Sequence, residues 1–207
     1  MATRRFHVWF LKADERTLRI SLMEFCYQLR LHYEQQWSNN ATVRSWDHGP
    51  TGQLPPEFCV LEFPPSQTRS MWTYATCCMS QANDKNPIEI HLFSDVQANA
   101  HVELLTVIAH YHRTGKQLGL GHTVNFGRPW LPGSECDHGL LSLPYLDGPN
   151  LEFFETPQFT KTVCCLWLVP ITAAEANYAR CNGLEALEEK LEESRFNYLE
   201  SQRPSVV

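Results

Sequence analysis

The sequence predicts an α+β fold, a mixed and mainly antiparallel sheet with helices packed on it, as a single domain over residues 1–207. Three observations carry that expectation. Apolar residues make up 43% and aromatics 12% of the 207 residues, enough for one large core and too rich for a disordered chain. Short β-rich runs are punctuated by Pro, Asn and Gly clusters. Two longer stretches carry apolar residues at helical spacing.

Residues 5–11 read as a strand. Asp14 is placed to cap a helix that runs to about Tyr33, with Leu18, Leu22, Phe25, Cys26, Leu29 and Tyr33 on its apolar face. Residues 38–57 carry Asn39-Asn40, Gly49-Pro50 and Pro55-Pro56, hence loop with a short strand at Thr42–Trp46. Strands follow at Phe58–Phe63, Met71–Cys78 and Ile88–Phe93. A helix over Asn99–His112 presents Val102, Leu105, Ile108, Ala109 and His112, and Gly115 is placed to end it in the left-handed conformation. Residues 117–150 are the least regular part. Thr162–Val169 is apolar on both faces, as a covered central strand should be, and Pro170 is expected to end it. Thr172 and Glu175 form a capping-box pattern for a helix to about Cys181. A last helix covers Leu184–Leu199, with Leu184, Leu187 and Leu191 inward, and residues 201–207 are extended.

The net charge of −6 argues against a nucleic-acid binder, because phosphate contacts need a basic surface. The first residues lack the long apolar run of a secretory signal, and no segment reaches the ~20 apolar residues that span a bilayer. A cytoplasmic location without membrane contact is expected. Eight cysteines include the vicinal pairs Cys77-Cys78 and Cys164-Cys165 but no Cys-x-x-Cys. Neighbours on a strand point to opposite faces, so buried reduced thiols are expected rather than a metal site.

Three ordered stretches resemble the suppressor-of-fused-like family as it occurs in bacteria. The first is Tyr74-Ala75-Thr76-Cys77-Cys78-Met79-Ser80 ahead of the strand Ile88-Glu89-Ile90-His91-Leu92-Phe93, with Cys78 where the family usually has glycine. The second runs from Leu118-Gly119-Leu120-Gly121-His122-Thr123-Val124 through Gly127-Arg128-Pro129-Trp130-Leu131-Pro132-Gly133-Ser134 to Leu140-Leu141-Ser142-Leu143-Pro144-Tyr145. The third is Trp167-Leu168-Val169-Pro170-Ile171-Thr172 with Glu175, Gly183 and Asn197-Tyr198-Leu199. The resemblance implies a partner-binding domain without catalysis. Single-domain bacterial relatives are commonly immunity proteins that neutralise a cognate toxin, including type VI secretion effectors, often of nuclease type.

No catalytic constellation, cofactor site or metal site is expected from the residues. His110 and His112 lie two apart on a helix and diverge by about 200°, so they do not converge with His122 on a metal. His112 reads as a helix-end residue favoured by the dipole. Gly119-x-Gly121 lacks phosphate-loop spacing and reads as a tight turn in which His122 and Thr123 fix the loop. A nucleophilic Cys77 or Cys78 would need a base that the sequence does not offer.

The outer acids of the last helix, Glu185, Glu188, Glu189, Glu192 and Glu193, read first as a solvated face and second as a binding surface. Between Phe126 and Thr160, five acids stand against the single base Arg128, with aromatics interleaved. Trp130, Glu135, Asp137, Tyr145, Asp147 and Glu152 are therefore the candidate partner-binding residues, facing a toxin with a basic nuclease-like cleft. The competing reading is core aromatics with acids that merely solubilise long loops. The expected function is an immunity protein that masks its toxin one for one. Alternatives are an adaptor or chaperone for a secreted effector and, less favoured, a hydrolase acting on the toxin or its modification.

Overall fold

The computed structural model describes residues 22–49, 51–81, 84–156 and 162–207. The strand expected at 5–11 and the start of the first helix lie outside them. Helix α1 covers 22–36, followed by β1 (Thr42–Arg44), β2 (Cys59–Phe63), β3 (Trp72–Cys77) and β4 (Ile88–Ser94). Then come α2 (Asn99–Thr114), β5 (Thr123–Asn125), β6 (His138–Ser142), α3 (Pro149–Glu152), β7 (Phe153–Phe154), β8 (Val163–Ile171), α4 (Ala173–Asn182) and α5 (Leu184–Glu193). One sheet runs in the order β1-β2-β3-β4-β8-β6-β5, with β7 also on β8. Among the described strands only the β4–β8 pairing is parallel; the others are antiparallel. The α+β expectation holds.

The central strand β8 shows why the chain needs helices on both faces. Leu166 and Leu168 join Val102, Leu105 and Ile108 of α2 in one cluster. The alternate residues point the other way, where Val163 and Cys165 meet Phe25, Leu29 and Tyr33 of α1. Further along that face, Trp167, Val169 and Ile171 meet Leu187 and Leu191 of α5. The period-two alternation of a strand thus sorts one apolar run between three helical partners.

Pro170 does not end β8. It pairs with Gly139 of β6, and β4 pairs with β8 only as far as Trp167. The Pro170 carbonyl accepts from Arg203 Nη2 at 3.0 Å, and the missing N–H falls where the pairing with β4 has already stopped. Gly115 also departs from expectation: its φ is −109°, not positive, although its N–H caps α2 on Tyr111 O. Glycine is needed there for space, because a Cβ would sit 2.9 Å from the Tyr111 ring. The last helix stops at Glu193, six residues early. Arg195 takes φ of 50°, its N–H bonds Glu192 O, and Phe196 N–H bonds Leu191 O. This is a Schellman ending with arginine in the glycine position, and it returns Phe196 to the core beside Leu191.

The turn after β3 is organised by a buried carboxylate. Glu89 is fully buried in β4 and accepts from Thr76 Oγ1 at 2.6 Å, Ser80 N at 2.8 Å and Met79 N at 3.3 Å. Cys78 adopts φ of 70°, the left-handed conformation that a glycine would take without the ~1–2 kcal/mol Cβ penalty. Leaving the strand this way turns its side chain into the same core cluster as Cys77, under α1. There Cys78 is disulfide-bonded to Cys26, with a Cα separation of 5.6 Å. The expectation of reduced thiols therefore fails for this pair, because strand alternation stops one residue before Cys78. The remaining described cysteines, Cys59, Cys77, Cys136, Cys164, Cys165 and Cys181, are free.

At the other end of β8 the capping box forms as expected: Thr172 Oγ1 accepts from Glu175 N, and Glu175 Oε2 accepts from Thr172 N at 2.8 Å. Glu175 also takes both ends of the Arg203 guanidinium, at 2.7 and 2.8 Å, and both side chains are buried. Burial, the largest single effect, would raise the Glu175 carboxyl; the Arg203 hydrogen bonds and charge, together with the Thr172 and Val206 N–H bonds, outweigh it and hold the group below its ordinary value.

Two outcomes follow for stability. Glu175→Ala strands the Arg203 charge in the interior and is expected to cost about 3–5 kcal/mol in urea unfolding. In the wild type, the contribution of Glu175 is complete above its unfolded value and fades as pH falls through its lower folded one. Glu89 has the opposite sign, because desolvation raises it to about 7. From the ordinary 4.5 up to about 7 the folded chain holds a proton the unfolded chain has lost, so stability falls as pH rises. Unfolding titrations across that window should show the slope reduced in Glu89→Gln.

Candidate functional site

The six residues singled out in the sequence do not form one surface. Trp130 is only 4% exposed, its Nε1 donates to Ser134 Oγ at 3.0 Å, and its ring lies 5.5 Å from that of His101. It belongs to the core beneath α2 and offers no face to a partner. The Asp147 carboxylate is 5% exposed and ion-paired with Arg69. Asp137 is hydrogen-bonded to His138 Nδ1 at 2.7 Å, Glu135 is exposed, and Glu152 is half-buried at the end of α3. Only Tyr145, 59% exposed, stands on a shaped hollow.

That hollow is a groove of about 670 Å³ between α5 and the face of β6 and β8. Leu140, Trp167, Val169 and Leu191 give it an apolar floor. Its rim carries Glu185, Glu188, Glu189 and Glu192, against the single cation Arg195. The helix explains the grouping: positions 185, 188, 189 and 192 recur at i, i+3, i+4 and i+7, one stripe beside the buried Leu187 and Leu191. Lys190 is drawn to Glu193, 2.7 Å away, and so leaves the stripe uncompensated.

The far wall is tied to the helix through Glu188. Ser142 Oγ donates to Glu188 Oε1, and Tyr145 OH donates to Oε2 at 3.1 Å. Desolvation first, and the Glu188 charge second, raise the Tyr145 phenol, which keeps its proton as a donor. Tyr145 and Leu146, both exposed, then stand as an apolar lip opposite the carboxylates. A smaller hollow of about 220 Å³ lies between α2 and the edge strand β5, with no charged residue in its lining.

The acid and the histidines whose proton affinity is most perturbed are interior. Glu89, raised to about 7, would suit acid–base chemistry, yet it is fully enclosed and committed to Thr76, Met79 and Ser80. Burial lowers His91 to about 3 and His101 to about 4. His112 is lowered to about 4, and its Nδ1 accepts from Leu118 N–H at 3.0 Å, so a neutral ring anchors the chain after α2. His112 does stand in the last turn of α2, as expected, but burial and the Leu118 bond rather than the dipole fix it there. The glycine turn forms through backbone groups: Gly121 takes φ of 77°, and His122 N bonds Gly119 O.

Comparison with known proteins agrees with this architecture. The family described as Suppressor of fused protein (SUFU) matches residues 55–204. A crystal structure of a SUFU homolog from Neisseria gonorrhoeae FA 1090 superposes with a TM-score of 0.77 at 29% identity, covering 89% of this chain and 98% of that one. A chain of the Sufu-Fu complex crystal structure matches at TM-score 0.66 and 15% identity, over 88% of this chain and 92% of that one. Drosophila Suppressor of Fused matches at 0.63 and 15%, and there the aligned part spans 51% of the longer chain. No curated protein matches the sequence. Among the described residues no helix is long and apolar enough to cross a membrane. With the family pattern covering residues 55–204 and the fold shared throughout, the chain belongs to the suppressor of fused family.

Proposed function

We propose that this chain is an immunity protein that neutralises a cognate bacterial toxin by stoichiometric masking, without catalysis. In this reading the groove between α5 and β6–β8 holds a basic, partly apolar segment of the toxin. The observation that carries it is the groove: an apolar floor rimmed by four glutamates with one opposing arginine. Such a surface suits cationic side chains whose stems lie on the exposed Tyr145 and Leu146, and it repels phosphate. A nuclease-type toxin fits, because its substrate site must be basic. Membership in a family with a bacterial homolog and with a member solved as the Sufu-Fu complex is consistent with a partner-binding role. Neutralisation of this kind would take place in the cytoplasm, where an incoming nuclease meets its substrate.

The working surface proposed here differs from the acidic loops alone. Charge reversal at Asp147 would test folding rather than binding, since its carboxylate is enclosed against the half-buried Arg69. Tyr145 remains in the proposed surface, joined by Glu185, Glu189 and Glu192, which are exposed and open to substitution.

The test is co-purification with the product of the adjacent gene, followed by titration of that toxin's activity. Activity should fall in proportion and vanish at one chain per toxin. Neutralisation by far fewer chains would indicate turnover, and binding without rescue from toxicity would indicate an adaptor or chaperone. Reversing Glu185, Glu189 and Glu192 to lysine together should slow association by on the order of 10-fold at low salt, with the difference shrinking as salt rises. Association rates equal to wild type at low salt would overturn the groove assignment.

A further inference from the structure

Four cysteines from three elements gather under α1, outside the groove. Cys59 of β2 stands directly opposite Cys77 of β3 in the antiparallel register. Cys78 follows in its left-handed turn, and Cys26 comes down from α1. The Sγ atoms of Cys26, Cys77 and Cys78 all lie within 4.8 Å of one another. Cys77 and Cys78 are buried and Cys26 is half-buried. Cys77 Sγ is also 3.4 Å from the Cys26 carbonyl oxygen, which holds the third thiol against the helix that carries the first.

With Cys26 and Cys78 joined, only one of the three sulfurs is free. A dithiol reductant supplies two electrons and two protons, closes to its own disulfide, and leaves two thiols on the chain. Three thiols then converge from two independent elements, in surroundings made of Phe25, Leu29 and Ala75. Cys59 is hydrogen-bonded to Cys77 at the side of the cluster, but among the described residues no fourth donor atom lies within the same 4.8 Å of all three sulfurs. Three converging sulfurs match a soft monovalent d¹⁰ ion better than zinc, whose structural sites take four ligands.

We propose that the reduced chain binds one Cu(I) ion through the sulfurs of Cys26, Cys77 and Cys78, and that the Cys26–Cys78 disulfide is the form that excludes it. Binding exchanges three thiol protons for three copper–sulfur bonds, with no change in oxidation state. The disulfide form has lost two of the three donors and cannot close the same site.

The experiment uses the full chain, reduced with a phosphine, and Cu(I) offered as its coloured bathocuproine disulfonate complex. Reduced wild type should withdraw one Cu(I) per chain, and the oxidised chain none. Cys77→Ser leaves the disulfide intact in the oxidised form, and in the reduced form should weaken binding by more than the roughly 100-fold that loss of an outer-shell partner can cause. Cys78→Gly should weaken it as much while relaxing the turn at φ of 70°, so loss of fold does not confuse the result; far-UV circular dichroism checks this. Cys181→Ser, outside the cluster and exposed, should bind as wild type. A reduced wild type that withdraws no Cu(I), or unchanged affinity in Cys77→Ser and Cys78→Gly, would overturn the site.

Discussion

The buried ion pair of Glu175 and Arg203 sets where the last part of the chain lies, and the groove is built from that part. One carboxylate receives the Thr172 N–H that starts α4, the bidentate guanidinium of Arg203, and the Val206 N–H. Arg203 in turn reaches the Pro170 carbonyl at the end of β8. Strand, helix start and C-terminal segment are thereby tied to a single charge cluster. Buried pairs of this kind are a weak source of net stability, since desolvation consumes most of the attraction. Their effect here is on position: an apolar substitute would leave the Pro170 carbonyl and the Thr172 N–H unmatched. With α4 fixed, the short break at Gly183, φ of 96°, lays α5 across Trp167 and Val169.

Function in this account comes from what α5 cannot cover. Its Leu187 and Leu191 seal one side of the sheet face, while Leu140, Trp167 and Val169 continue past them toward Tyr145. Over that buried floor the exposed Tyr145 and Leu146 face a helical stripe of carboxylates, and that combination favours cationic segments of a protein over phosphate or lipid. Ser142 and Tyr145 hold Glu188 in place, so one of the four acids is oriented before any partner arrives.

Much of the fold was legible because alternation and helical spacing are local signals. The strands between residues 42 and 94, the helix over Asn99–Thr114 and the capping box at Thr172 follow from them. The departures each have a tertiary cause. Pro170 stays in a strand because the pairing of β8 with β4 has already stopped at Trp167; Arg195 takes a glycine's conformation because Phe196 gains a place in the core; Cys78 leaves its strand toward Cys26 of α1. The site was legible only in its parts. Tyr145 and the glutamates of 185–192 were both visible, but nothing local says that β6 and α5 meet beside β8, since that depends on a sheet order that crosses the chain. Trp130 and Asp147 looked like surface residues because their loop is polar; their partners, Ser134 with His101 and Arg69, are what place them inside.

The most direct test of the central claim is amide hydrogen exchange on the free chain and on its complex with the toxin. The account predicts added protection concentrated in α5 and in residues 140–146, with the β1 edge of the sheet unchanged. Protection at the β1 edge or around α1, with α5 exchanging as in the free chain, would contradict it.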